Sequence, residues 1–346
     1  MTIMLKIIGN KKEWDTLLET VAGYDFYHTY DYHINCANDN EEIALISYTT
    51  KDTIIAFPIL IRPIKNSSFF DVTSVYGYGG PLSKNITANT NLTPFYNKLR
   101  IYFQQKNIIC AYSSLNPYID NQKRILSGLG KIENVSKVVN INLKQTLEEQ
   151  ESNFSKTTKR YIKRNKKLFY SRVGKTKEDV AIFIDLYYKT MSRLNASKNY
   201  FFKEEYFYNI LKSKQYNAEI IFAVTKDTNI NASAALIIKT NNTIIQYHLS
   251  GTLEEYKHLS PIRYILNEVR VQGTLEGYSY FNLGGGFGGN HDSLFDFKAS
   301  FSNDYKKFKV WKYVLNNKEY NNLSGKNKNL TPLAKTSFFP LYRYNK

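Results

Sequence analysis

"YFNLGGGFGGNHDSLFDFKASF", residues 280–301, sets five glycines within six residues directly after an apolar run. Gly284, Gly286 and Gly289 satisfy G-x-G-x-x-G behind an expected strand, which raises a dinucleotide site. Such a site needs a helix opening at the loop, its N-terminus toward the pyrophosphate, and then a parallel strand ending in an acidic residue. Here Phe295, Phe297 and Phe301 follow with the alternation of a strand, and no lysine stands directly after the glycines as a P-loop requires. The stretch predicts instead a sharp backbone turn beside a substrate, with Asp292 capping the turn that presents a final strand.

The surroundings of this loop repeat. A strand at 243–252, a helix opened by Ser260 as N-cap and Pro261 at its first position, and a strand at 278–283 lead into it. Earlier, strands at 41–50, 53–64 and 71–80, a helix at 94–106 and a strand at 108–114 give the same order. Helices at 178–195 and 203–214 and a hairpin over 218–240 complete the second half. Two similar units predict a duplicated domain of mixed helix and strand. Between them, residues 146–170 read as one amphipathic helix. Phe154, Tyr161 and Leu168 recur every seven residues among Lys156, Lys159, Arg160, Lys163, Arg164, Lys166 and Lys167. A solvated face and a phosphate or tRNA contact both fit such a helix.

Composition narrows the classes. The 346 residues are 42% hydrophobic and 15% aromatic, ample for packed cores, and carry a formal charge of +17. That balance favours polyanionic partners, although a lysine-rich composition alone gives the same number. Cys36 and Cys110 match no metal spacing and make no disulfide framework, so buried free thiols and no metal are expected. No apolar run reaches membrane-spanning length, and the first residues lack a signal-cleavage pattern, which together predict a cytoplasmic protein without a transmembrane segment. G-x-S-x-G and H-E-x-x-H are missing, as is a cysteine clearly paired with a histidine, so the usual serine, zinc and cysteine hydrolase arrangements are excluded.

Taken together, five stretches resemble the Fem-type peptidoglycan aminoacyltransferases and the wider FemAB-like, BioF-type members of the GNAT acyltransferase superfamily. They are "FYHTYDYH" (26–33), "VYGYGGPL" (75–82), "KRYIKRNKK" (159–167), "HLSGTLEEYKHLSPIRYILNEV" (248–269) and "LGGG" with "DSLFDFKASF" (283–301), spread in order over most of the chain. The resemblance implies an α+β fold of two tandem GNAT-like subdomains with mainly antiparallel sheets. The expected division is 1–145, a basic connecting helix at 146–170, and 171–346. It implies acyl transfer to an amine on a nucleotide-linked cell-wall or surface-polysaccharide precursor, with no bound cofactor. The donor is aminoacyl-tRNA or acyl-CoA. In ordinary GNAT enzymes a glycine-containing loop before the central helix holds the coenzyme A pyrophosphate on backbone N–H groups; here "EEYKHLSPIRY" (254–264) stands at that place, which favours aminoacyl-tRNA.

The same resemblance assigns residues. Lys298 matches the lysine that serves the transferring ester, with Phe297 lining the site. Lys203 and Phe207 fall where the family has an arginine and a tyrosine that grip the acceptor diphosphate, so both residue types differ. Tyr76 and Tyr78 border the expected acceptor cleft, but Ser83, Lys84 and Asn85 stand where the family usually carries an aspartate. From the residues themselves, His248 leads the general-base candidates, ahead of His28, His33 and His291, because its strand and that of its neighbour Tyr247 should line the cleft. Lys163, Arg164 and Lys167 are the expected phosphate contacts. Two alternatives remain at this level: an acyl-CoA-dependent N-acyltransferase acting on an amino sugar, and a non-catalytic nucleic-acid-binding protein.

Overall fold

The computed structural model describes residues 4–327, 331–332 and 338–344. The chain divides into two compact units, the first formed by Met1–Val135 and Lys307–Lys346, the second by Ser136–Lys306. This differs from the expected division at 145 and 170, whose outer bounds, residues 1 and 346, lie outside the described residues.

The first unit opens with β1 (Met4–Ile8), α1 (Lys11–Val21), α2 (Tyr30–Cys36), β2 (Glu42–Thr49), β3 (Ile54–Pro63), β4 (Phe70–Thr73) and β5 (Leu82–Lys84). It continues with α3 (Thr93–Gln105), β6 (Ile108–Leu115) and α4 (Gln122–Leu126). Strands β1, β2, β3, β4 and β6 lie side by side in that order, antiparallel throughout except for β4 and β6. A parallel pair needs a crossover, and α3 supplies it. Phe95, Leu99, Tyr102 and Phe103 give α3 one buried face, which packs with Tyr48, Phe57 and Trp311 into this unit's core.

Strand β7 (Lys131–Asn142) begins in the first unit and enters the second at Ser136, and the second unit then holds α5 (Leu147–Ser152), α6 (Lys156–Leu168), β8 (Phe169–Gly174), α7 (Lys177–Arg193) and α8 (Glu204–Lys212). There follow β9 (Asn217–Thr225), β10 (Asn231–Thr240), β11 (Ile244–Thr252), α9 (Ile262–Leu275), β12 (Tyr280–Gly284) and α10 (Ser293–Ala299). Its strands run in the order β7, β12, β11, β10, β9, β8, and again only one pair, β11 with β12, is parallel, bridged by α9. The chain then enters β13 (Asp304–Val314) and α11 (Asn317–Gly325).

Each unit's run of strands includes one from the other half of the sequence. Lys309–Val314 of β13 pair with Cys110–Leu115 of β6, while Val139–Asn142 of β7 pair with Tyr280–Gly284 of β12. That exchange explains the division: a linear cut assigns both closing strands to the wrong unit.

Three local expectations also change. The basic stretch is two helices, because Thr146 and Glu149 form a capping box for α5 and Ser155 then caps α6 through the Thr158 N–H. The buried face of α6 is Thr158, Ile162 and Asn165, leaving Leu168 exposed and Tyr161 half-buried. Pro261, not Ser260, is the N-cap of α9, with Ser260 in the left-handed region at φ 50°.

Candidate active site

The second unit is built around a fork. The parallel ladder between β11 and β12 ends at Gln246 and Asn282, whose side chains are hydrogen-bonded at 2.8 Å. Beyond that point β11 stays paired with β10, where Leu236 faces Leu249 and Ile237 faces Tyr247, so His248 is the extra residue of a β-bulge. Bulges re-aim side chains and are frequent beside active sites. On the other arm, Asn282 Oδ1 accepts the Gly284 N–H at 2.9 Å and the register against β7 shifts as the glycine loop begins.

A helix, not a strand, follows the loop. Asp292 accepts from the Phe295 N–H with Oδ1 and from the Phe287 N–H with Oδ2, both at 2.9 Å, so one carboxylate caps α10 and ties the glycine turn to it. Burial would raise its pKa, but the N–H groups of Phe295, Phe287 and Leu294 outweigh that and hold the carboxyl below its usual range. A Cβ at Gly286 would collide with the Asn290 carbonyl and this carboxylate, which is why glycine is needed there. Phe295, Phe297 and Phe301 alternate in sequence, yet Phe295, Lys298 and Phe301 share the three-residue spacing of a buried helical face.

Lys298 therefore points inward. It is 9% exposed, its Nζ donates to the Gly285 carbonyl at 2.7 Å, and it lies 5.9 Å from the centre of the Tyr247 ring. Among the described residues no carboxylate forms an ion pair with it. Desolvation pushes its pKa down to about 8, against the pull of the Asp292 charge. At pH 7 about nine in ten of these ammonium groups keep their proton. The result is a charge held at the open end of the fork with little compensation. Tyr247 faces this lysine, bonded through its hydroxyl to Ser250, and burial pushes its pKa up to about 12.

His248 also stands at the fork, but not as expected. Its Nε2 lies 2.8 Å from the hydroxyl of Tyr206 on α8, and enclosure by protein pushes its pKa down to about 3. That shift keeps the ring neutral at pH 7. Tyr206 was not singled out by sequence reading, since it sits on the buried face of an ordinary amphipathic helix.

The structure distributes the remaining candidates. Phe297 packs under the Arg263 guanidinium at 4.6 Å and against Phe301. Phe207 is fully buried among Phe183, Tyr187 and Tyr206, so its ring is core and cannot grip a ligand. Lys203 is exposed at the N-cap of α8. On α6, Lys163 and Lys167 are exposed, whereas Arg164 stacks on Tyr161 and donates to the Leu259 carbonyl at 3.1 Å. Asn165 donates to the carbonyls of Leu259 and Ser260, and the first N–H groups of α9 return to Ser260 and Pro261. The turn into α9 is thus closed by its own chain and by α6.

In the first unit, Tyr76 is 46% exposed, and its carbonyl accepts from the Tyr32 hydroxyl at 2.9 Å. Tyr78 is half-buried, edge-on to Tyr27 and Phe308. Gly77 between them has φ 113° and lies against the Tyr27 ring, where a side chain would not fit. His28 and His33 are buried, with pKa values pushed by desolvation to about 4 and about 3, and bond to backbone at Asp25 and Thr29. They are structural. His291 is exposed, 3.7 Å from Asp296. Burial pushes both cysteine thiols up to about 12, so they are inert at neutral pH.

The sequence matches no protein-family model and no curated protein. Its fold is similar to that of FemX, at 11% identity and a TM-score of 0.72, over 92% of this chain and 99% of that one. A conserved protein of unknown function from Bacteroides thetaiotaomicron gives 11% identity and 0.56, over 90% and 100%. The C-terminal domain of a putative lysylphosphatidylglycerol synthetase from Agrobacterium fabrum gives 10% and 0.54, over 90% and 94%. The fold is the expected one of two tandem GNAT-like subdomains with mainly antiparallel sheets. Among the described residues, no helix is long and apolar enough to cross a membrane.

Proposed function

We propose that the protein is an acyltransferase that moves an aminoacyl group from aminoacyl-tRNA to an amine on a nucleotide-linked cell-wall or surface-polysaccharide precursor. The observation that carries this reading is the buried Lys298, without an ion pair among the described residues, at the open end of the β11–β12 fork. Attack of the amine on the ester carbonyl forms the amide bond and breaks the bond to the ribose oxygen. The proton shed by the amine goes to that leaving oxygen. Between these events the carbonyl oxygen carries negative charge, and a preorganised ammonium in a poorly hydrated site stabilises it. No covalent enzyme intermediate is required.

Two features favour aminoacyl-tRNA over acyl-CoA. The Arg263 and Tyr264 N–H groups in the first turn of α9, where a pyrophosphate would be met, donate to the Ser260 and Pro261 carbonyls, and Arg164 and Asn165 fasten the preceding turn through the Leu259 and Ser260 carbonyls. Lys156, Lys159, Arg160, Lys163, Lys166 and Lys167 leave α6 exposed and basic, and among the described residues none forms an ion pair. The test is a mass-spectrometric screen of the purified protein with aminoacyl-tRNA and acyl-CoA pools against UDP-muramoyl peptides and nucleotide-linked amino sugars. An aminoacyl mass increment that requires the charged tRNA supports the reading. Transfer from acyl-CoA alone replaces the donor, and tRNA binding without any transfer replaces the enzyme by a binding protein.

A further inference from the structure

We propose that Arg160, Arg164 and Arg263, gathered around the ring of Tyr161, form a binding site for a phosphate group of a substrate. The inference deepens the acyl-transfer reading and rests on it for the identity of that substrate. The phosphate belongs either to the RNA of the donor or to the nucleotide of the acceptor.

The site is built around one half-buried ring. The guanidinium carbon of Arg164 lies 4.6 Å from the centre of Tyr161, that of Arg263 from α9 at 5.5 Å, and that of Arg160 at 5.8 Å. Contact with the ring face offsets only part of the cost of bringing like charges together. Carboxylates normally supply the rest. Among the described residues the arginines in ion pairs are Arg62, Arg172, Arg193 and Arg343, and none of the cluster around Tyr161 is among them. Positive charge is thus concentrated here without a counter-charge from the protein, next to the exposed Lys156, Lys159 and Lys163 of the same helix.

Arg263 is the member held in place. Its Nη1 donates to Thr158 Oγ1 and to Ser300 Oγ, both at 2.7 Å, and its guanidinium lies over Phe297 at 4.6 Å. Groups on α6 and α10 therefore fix a side chain of α9. Its Nε is enclosed without a hydrogen-bond partner, and among the described residues Nη2 makes no hydrogen bond either. The Nε–H and one Nη2–H point the same way and form the fork that takes two oxygens of one anion. The group is thus anchored by Nη1 while its gripping edge has no acceptor, and an enclosed N–H without an acceptor costs free energy that an anion oxygen removes. Desolvation pushes the Arg263 pKa down, yet a guanidinium stays charged. Arg160 is exposed and makes no hydrogen bond among the described residues, whereas Arg164 uses Nη2 on the Leu259 carbonyl at 3.1 Å. A carboxylate is satisfied by one such fork. A phosphate or diphosphate turns its oxygens in several directions and can meet guanidinium groups arriving from two helices. Through Ser300 and Phe297 the site also adjoins α10, the helix that carries Lys298.

The experiment measures binding of uncharged tRNA and of UDP to the full chain, by fluorescence anisotropy and calorimetry over a salt series. Arg160→Gln removes an exposed group that holds nothing else, and it should weaken one of the two probes about tenfold or more. If that probe is tRNA, the slope of log affinity against log salt should also fall by about one. Arg160→Lys and Arg263→Lys keep the charge but lose the fork, and both should weaken the same probe, with folding checked by thermal transition. A diffuse basic surface would leave the lysine variants unchanged, so binding of both probes within about twofold of wild type overturns the proposal. Arg160→Lys decides alone if Arg263→Lys does not fold. Weakened tRNA assigns the phosphate to the donor, and weakened UDP assigns it to the acceptor; wild-type protein that binds neither probe also overturns the site. If no donor supports transfer, the acyl-transfer reading fails, while these titrations still decide whether the arginines hold phosphate.

Discussion

Replacing Lys298 by methionine should cost activity and improve the fold's tolerance of neutral pH. The burial that lowers this lysine from its ordinary 10.5 to about 8 is a free-energy difference of about 3 kcal/mol between the two protonation states in the folded chain. The sign follows from proton counting. Between those two values the unfolded chain holds a proton that the folded chain has released, so wild-type stability rises with pH across that window. The methionine variant has no such group and lacks that rise. Urea denaturation of both proteins at pH 7 and about pH 10.5 should therefore show the variant's relative stability falling by up to about 3 kcal/mol as pH increases. Subtracting the two curves removes every other titrating group they share. In single-turnover transfer at pH 7 the variant should lose roughly a hundredfold to a thousandfold in rate, as expected for one missing oxyanion donor. Parallel stability curves would show that Lys298 is not desolvated. A rate within about threefold of wild type would remove it from the chemistry and leave a packing role.

Charge reversal at Lys163 and Lys167 together should raise KM for the charged tRNA and flatten its salt dependence, because exposed cations release counterions on binding; identical salt slopes would leave only a solvated face. Arg164 is kept out of that variant since it holds the Leu259 carbonyl. Phe207→Ala should destabilise by about 3 to 5 kcal/mol in denaturant, the cost of emptying a fully buried aromatic site, and a purely kinetic defect would restore a ligand-binding role. Asp71→Ala should destabilise the first unit by about 3 to 5 kcal/mol, because this buried carboxylate faces Arg62 at 2.8 Å, Arg343, and the Tyr342 hydroxyl at 2.9 Å; a loss below about 1 kcal/mol would mean those partners find water instead.

What the sequence revealed depended on range. Helices with strong apolar faces, such as α3 and α7, and the apolar runs of β2, β3, β10 and β11 were legible because a few consecutive residues carry the signal. The lysine of the site was legible only through its motif. Its burial was not, because "DSLFDFKASF" supports both a two-residue and a three-residue period, and the Asp292 cap decides between them. β7 and β13 escaped for a different reason. Their lysine-rich patterns are only partly buried, and their partners, β12 and β6, lie far away in sequence. No local period can state which distant strand a segment will join. Tyr206 was hidden in the same way, since its value lies in a contact with His248 forty-two positions on.

The duplicated architecture sharpens the case for Lys298. Both units end a parallel ladder early, at Val72 and Ala111 in the first and at Gln246 and Asn282 in the second. In the first, the chain returns to fill the gap: Ser74 Oγ accepts from the Ser114 N–H, Gly79 bridges to Leu115, and the Gly79 carbonyl takes the Asn116 and Gln122 donors at 3.0 Å. In the second, the corresponding end carries a bulged histidine, a tyrosine and a desolvated ammonium. Backbone that pairs with itself lowers the free energy of folding. A buried ammonium without a carboxylate raises it, and such an arrangement persists where charge must be presented to something other than the protein. One copy of the fork is closed by its own backbone, and the other keeps a destabilising charge at the place where, on the proposed reading, an acyl oxygen becomes negative.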